Sequence, residues 1–216
     1  MHPTRLRRSK MFDAHPEGRQ RVLQAAAKVF FEKGYEGASI ELIRAEVGGS
    51  RRTLYRAFGS KEGLFAAIVR ASIEDALRCL TEDAQRQQSL HATLLNFGRG
   101  LMYALLTPTV LALYRIVVFE AARFPELAAM FYFSGPGHVA KRLASVLEQR
   151  QRLEEIGPVD CNIAADQFVS MIRGNLHLAI VLGLRPVPRD PDLEVFLSQA
   201  VGNFVEGLSA RHQRLS

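Results

Sequence analysis

Cysteine is scarce in this chain and carries no site. Cys79 and Cys161 are the only two; their separation fits no paired metal spacing, so they read as free thiols of a reducing compartment. Proline is absent between Glu17 and Thr107, which leaves that half of the chain free to form unbroken helices. No strand-like alternation of useful length occurs, and there is no internal repeat. Paired carboxylates on one helix face, a metal-spaced His or Cys set and a glycine-rich phosphate loop are missing too. The chain is therefore read as no enzyme, with no metal and no cofactor. The longest apolar region, Leu101 to Ala122, is broken by Thr107-Pro108, Arg115 and Glu120, so it reads as two buried helices, with no membrane partner. The first fifteen residues are basic and lack the apolar run of a secretory leader, which makes a cytoplasmic location the expectation.

What is present is a core and an uneven charge. Of 216 residues, 48% are hydrophobic, enough for a folded protein of one large domain or a small one plus a larger one. The net charge is +6, but through Arg70 there are 14 Lys and Arg against 7 Asp and Glu, and beyond it 14 against 15. The excess lies on the first third, as a phosphate-facing module requires. A membrane surface could attract the same charge, but only with an exposed apolar face that these short helices use in their core.

That third contains SIELIRAEVGGSRRTLYRAFGSK, Ser39 to Lys61. Ile40 and Ile43 give a first helix an apolar side, Val47-Gly48-Gly49 breaks it, and Ser50 can cap a second helix, Arg51 to Phe58. The second helix carries Arg51, Arg52, Thr53, Tyr55 and Arg56 in its first turns, while Leu54 and Phe58 hold it to the core. Arginine pairs with guanine edges, threonine touches a thymine methyl and tyrosine reaches phosphate, so the pattern suits insertion into the major groove of double-stranded DNA. Ser60 caps a third, longer helix running to about Asp83. Lys61 at its start is placed for a phosphate, aided by the positive helix end. Over roughly 30 Å this helix can carry a displacement into the rest of the chain. Ahead of the motif, Glu17 to Lys33 reads as a helix ended by Gly34, with Tyr35 folding back. Residues 1–16 read as a disordered basic arm, either a solvated tail or a minor-groove contact.

The order RVLQAAAKVFFEKGYEGASIELI, then GGSRRTLYRAFGSKEGLFAAIV, resembles the amino-terminal DNA-binding domain of the TetR/AcrR family of bacterial regulators, over roughly Gln20 to Val69. Gly34-Tyr35, Ser50, Thr53-Leu54-Tyr55, Phe58 and Ser60-Lys61 all stand at matching spacing. Gly49 departs from the usual apolar residue before the capping serine, and Arg44 from the usual small residue. The resemblance implies an all-α fold: a helix-turn-helix domain over 17–65, and a helical effector-binding and dimerisation domain over 66–216. It implies DNA contacts from Ser39, Ser50, Arg51, Arg52, Thr53, Tyr55, Arg56 and Lys61.

Beyond Leu90, proline and glycine signals divide the chain into helices at about 90–106, 108–122, 125–133, 136–153, 161–184 and 191–210. The last two are apolar on broad faces and call for more than one cover. By resemblance that second cover is the twin of a homodimer, with Phe168, Ile172, Leu176, Ile180, Phe196, Ala200, Phe204 and Leu208 at the interface. Two copies would read two half-sites of a palindrome. Aromatic, soft and isolated polar side chains in the body suggest a pocket for a small hydrophobic or amphipathic effector: Phe97, Met102, Tyr103, Tyr114, Arg115, Phe119, Arg173 and His177. A repressor released by that ligand is the expected function; a regulator without an effector, or an activator, is the alternative.

Overall fold

The structure is a computed structural model that describes residues 16–48, 50–85 and 88–213. The basic arm lies outside them except for Pro16, as does Gly49. Every regular element among the described residues is an α-helix: α1 (Pro16–Gly37), α2 (Ile40–Val47), α3 (Arg51–Phe58), α4 (Lys61–Gln85), α5 (Leu90–Leu105), α6 (Pro108–Glu120), α7 (Pro125–Ser134), α8 (Pro136–Arg152), α9 (Cys161–Val181) and α10 (Asp190–Gln213). No single one is long and apolar enough to cross a membrane.

The starts follow from capping. Ser39, Ser50 and Ser89 each accept a hydrogen bond from a first-turn amide, and Asp160 accepts two, satisfying donors that have no partner inside the helix. The ends follow from turn chemistry and differ from expectation by a few residues. α6 stops at Glu120 and α9 at Val181, whereas α1 is broken by a kink at the expected Gly34, φ 70°, with a short turn to Gly37 beyond it. α9 is interrupted at Gly174, another backbone that is not helical.

By packing the chain forms two compact units. One comprises the described residues up to Ala71 together with Pro108–Ser134; the other is Ser72–Thr107 with Gly135 onward. The expectation of contiguous domains divided at 65 did not foresee that α6 and α7 belong with the amino-terminal helices. The reason is a shared core. Val22, Val29, Phe30, Tyr35, Ile43, Leu54, Leu64, Phe65 and Ile68 pack in one cluster with Leu113, Val117 and Leu127. Tyr35 lies at its centre, with edge-on rings of Phe65 and Phe124 at 5.9 and 5.4 Å. Arg123 pairs with Glu36 at 3.0 Å and with buried Glu120 at 3.6 Å.

In the second unit Phe97 stacks on Phe168 at 6.3 Å, and Phe204 meets Phe168 at a 60° tilt and 5.0 Å. Leu94, Leu143, Leu147 and Leu197 are fully buried around them. A two-pronged ion pair from Arg99 to Glu194 joins α5 to α10. The buried Arg150 guanidinium donates to Glu155, to the Gln88 carbonyl and to Thr93, so its charge is matched rather than stranded.

Candidate nucleic-acid interface

α2, α3 and the first turn of α4 form the site. α2 is anchored by Ile40 and Ile43, 4% and 0% exposed. It ends at Gly48, whose φ of 72° lets its amide donate back to the Arg44 carbonyl at 2.9 Å; a residue with a Cβ is strained in that conformation. Ser50 then caps α3 through Thr53 N at 3.1 Å, and the two hydroxyls of Ser50 and Thr53 lie 2.8 Å apart. Leu54 is 3% exposed, and half-buried Phe58 carries the Arg19 guanidinium over its ring at 4.9 Å. Those two inward residues fix which side of an eight-residue helix faces out.

The turn into α4 is tighter than the sequence pattern suggests. The Gly59 amide donates to Tyr55 O at 2.7 Å, and Ser60 Oγ accepts from Gly63 N at 3.1 Å. A Cβ at Gly63 would fall 2.0 Å from the Phe58 carbonyl oxygen. Only glycine permits α4 to start so close to the end of α3, and with it the angle between them. Gly63 is a positioning residue that motif reading passed over; a glycine inside a helix's first turn was the available signal.

The expected contact residues divide into two groups. Arg51, Arg52, Tyr55 and Arg56 are exposed on the outer side of α3. Arg51 Nε pairs with Glu41 Oε1 at 3.1 Å, and its Nη2 donates toward the Tyr55 hydroxyl at 3.4 Å. The other group acts inward. Thr53 is 5% exposed with its hydroxyl on Ser50, so its methyl is not presented as the thymine contact expected of it. Ser39 caps α2 through Leu42 N. Lys61 donates to the Tyr35 carbonyl at 2.8 Å and lies 4.3 Å from that ring's centre, so its ammonium is held by the protein. The Tyr35 hydroxyl donates to Glu62 at 2.8 Å. Burial, with that carboxylate second, pushes the phenol's pKa up.

The expected pocket residues fall in both units. Phe97 and Met102 are fully buried in the second unit's core, and Tyr103 is exposed on α5. Arg173 is half-buried, with Nη2 at 3.4 Å from His177 Nδ1. Burial chiefly, and then the Arg173 charge, lowers the His177 pKa to about 4. Tyr114, Arg115 and Phe119 belong to the first unit; Tyr114 meets the Phe131 ring at 6.0 Å, Arg115 is exposed and Phe119 is 80% exposed. An open groove of about 1050 Å³ in the second unit is lined by none of the eight; Asn175, Leu176, Arg185, Arg189 and Phe196 are among the residues that form it.

The interface expectation also shifts in phase. Phe168, Ile172, Ile180, Ala200, Phe204 and Leu208 are all buried within the single chain. They are that chain's own core, because they face α5 and each other across the unit. Only Leu176 and Phe196 keep partial exposure. The outward apolar residues on these helices include Ile163, Met171, Leu178 and Val195, with Leu182 just beyond α9. Met171 and Leu178 lie on either side of the break at Gly174, and both stay outside the core to which a broad hydrophobic reading assigns these helices.

Residues 22–68 match the family described as bacterial regulatory proteins, tetR family. Residues 92–207 match the AefR-like transcriptional repressor C-terminal domain. The HTH-type transcriptional repressor AcnR of Corynebacterium glutamicum is 41% identical over 66 residues, 31% of this chain and 34% of that protein; the chain spans about a third of the length of such curated relatives. The flavonoid-responsive regulator FrrA is similar over nearly its whole length, at 33% identity and TM-score 0.67, covering 89% of this chain and 97% of that one. A TetR-family regulator from Mesorhizobium loti shares the fold, with TM-score 0.72 at 23% identity, covering 89% of this chain and 98% of that one.

Proposed function

The chain belongs to the TetR family of bacterial regulatory proteins, and from that membership we propose that it is a homodimeric repressor, released from a palindromic operator by a small amphipathic effector. Its α3 enters the major groove of each half-site. The observation that carries this is the orientation of α3. Leu54 and Thr53 are buried against the core, with the Thr53 hydroxyl on Ser50, and Arg52, Tyr55 and Arg56 face out. A single helix of this length reads only a few base pairs, so two copies about one DNA turn (~34 Å) apart are needed for specificity. The outward apolar Met171 and Leu178 of α9, with Leu182 just beyond it, support a self-complementary contact there.

The effector acts through α6 and α7. Their residues Leu113, Val117 and Leu127 belong to the same core as Leu54 and Leu64, so a ligand that prefers a shifted α6 also disfavours the DNA-competent arrangement. It does so only by its difference in affinity between the two states. A flavonoid-responsive relative directs the first effector screen to aromatic amphipathic compounds. The test is selection of random duplexes by the purified protein, with and without such compounds. A palindromic consensus whose recovery falls with one compound supports the reading; recovery of unrelated sequences refutes it.

A further inference from the structure

Resting on the DNA-binding reading, the geometry points to Glu41 as a specificity-determining residue that acts through Arg51, restraining its guanidinium from binding arbitrary phosphates. Arg51 opens α3 and is tied at three points. Its Nε meets Glu41 Oε1 at 3.1 Å, its Nη2 donates to the Tyr55 hydroxyl at 3.4 Å, and its Cζ lies 5.2 Å from the Tyr55 ring centre. The Nε–Nη2 edge, one of the forks an arginine can offer a guanine, is thereby occupied. Arg52, the next residue, is exposed with no partner among the described residues.

Glu41 itself is held in place by its helix. It is the second residue of α2, after the capping Ser39 and Ile40, where the helix's positive end favours a carboxylate. This plants a negative charge beside the cationic face of α3. On an unmatched duplex, Arg51 has only phosphate to gain. To take it, the guanidinium must leave Glu41 and expose that carboxylate to the polyanion. On a matched half-site the guanidinium remains on Glu41 and steadies the Tyr55 hydroxyl, while Arg52 and Tyr55 make the contacts. Glu41 therefore weakens unmatched binding more than matched binding, which raises their ratio.

The experiment compares Glu41→Gln with the unchanged protein, and Glu41→Gln/Arg51→Ala with Arg51→Ala. Each binds a duplex chosen from a random pool by the unchanged protein and a scrambled duplex, across a salt series. Urea midpoints check that each variant is folded. Glu41→Gln is expected to tighten scrambled-duplex binding roughly five-fold, the scale of one exposed ion pair. It should also steepen the salt slope there by about 0.9, one further phosphate contact, and lower the matched-to-scrambled ratio. Without Arg51 the same change should move neither quantity by more than about two-fold. An unchanged slope and ratio, equal tightening of both duplexes, or a full effect persisting without Arg51 overturns the inference. Failure of the unchanged protein to select any duplex overturns instead the DNA-binding reading beneath it.

Discussion

Replacing Ser50 by alanine tests how α3 is held. The serine oxygen performs two tasks, accepting from Thr53 N at 3.1 Å and pairing with Thr53 Oγ1 at 2.8 Å. Loss of the cap costs about 1 kcal/mol. The Thr53 hydroxyl, on a residue 5% exposed, is then left buried without its partner, which costs a further ~1–2 kcal/mol. Ser50→Ala should therefore destabilise the first unit by about 2–3 kcal/mol. Thr53→Val alone keeps the shape and the backbone cap, and costs about 1 kcal/mol at most, because exposed Ser50 can turn to water. In the double variant no buried hydroxyl remains, so its cost should fall short of the sum by ~1 kcal/mol or more. Urea midpoints at constant m measure each corner of the cycle, and amide exchange over Leu54 to Phe58 reports opening of α3 itself. If the two substitutions add within ~0.3 kcal/mol, the hydroxyl pair does not couple and this account of α3 is refuted.

Arg52→Ala should weaken operator binding ten-fold or more, the scale of a base-edge contact, with stability unchanged to about 0.5 kcal/mol. Lost stability with intact affinity per folded molecule, by anisotropy, would contradict it. Leu178→Glu, at a residue 50% exposed, should give monomers by light scattering at an unchanged urea midpoint. Phe204→Glu, at 7% exposure, should unfold the second unit instead of dividing a dimer; a folded monomer from that variant would return the interface to the core side of α10. His177 has its pKa lowered to about 4, so between there and pH 6.5 the unfolded chain binds a proton that the folded chain refuses. Stability is full above that window and falls as pH drops through it, by ~3 kcal/mol at most. His177→Leu should flatten the urea midpoint between pH 4 and 6.5, and an unaltered slope would place the proton elsewhere.

Local chemistry was legible without coordinates. Ser50, the break at Gly48, the inward Leu54 and the outward Arg51, Arg52, Tyr55 and Arg56 all depend on neighbours within one or two turns, so residue order alone determined them. The all-α class followed from the absence of alternation, and the helix starts at α3 and α4 from the capping Ser50 and Ser60. What the order of residues could not reveal depends on partners distant along the chain. Broad apolar helices have two buried-looking faces, and only packing against α5 decided that Phe168, Ile172 and Phe204 point into the chain's own core while Met171 and Leu178 point away. A contact between residues 26 apart in the chain gave Lys61 to the Tyr35 carbonyl. The membership of α6 and α7 in the amino-terminal core was likewise settled by Leu113, Val117 and Leu127 finding Phe30 and Leu64. Hydrophobic burial has no direction along the sequence, so which apolar face meets which is decided only when the whole chain is folded.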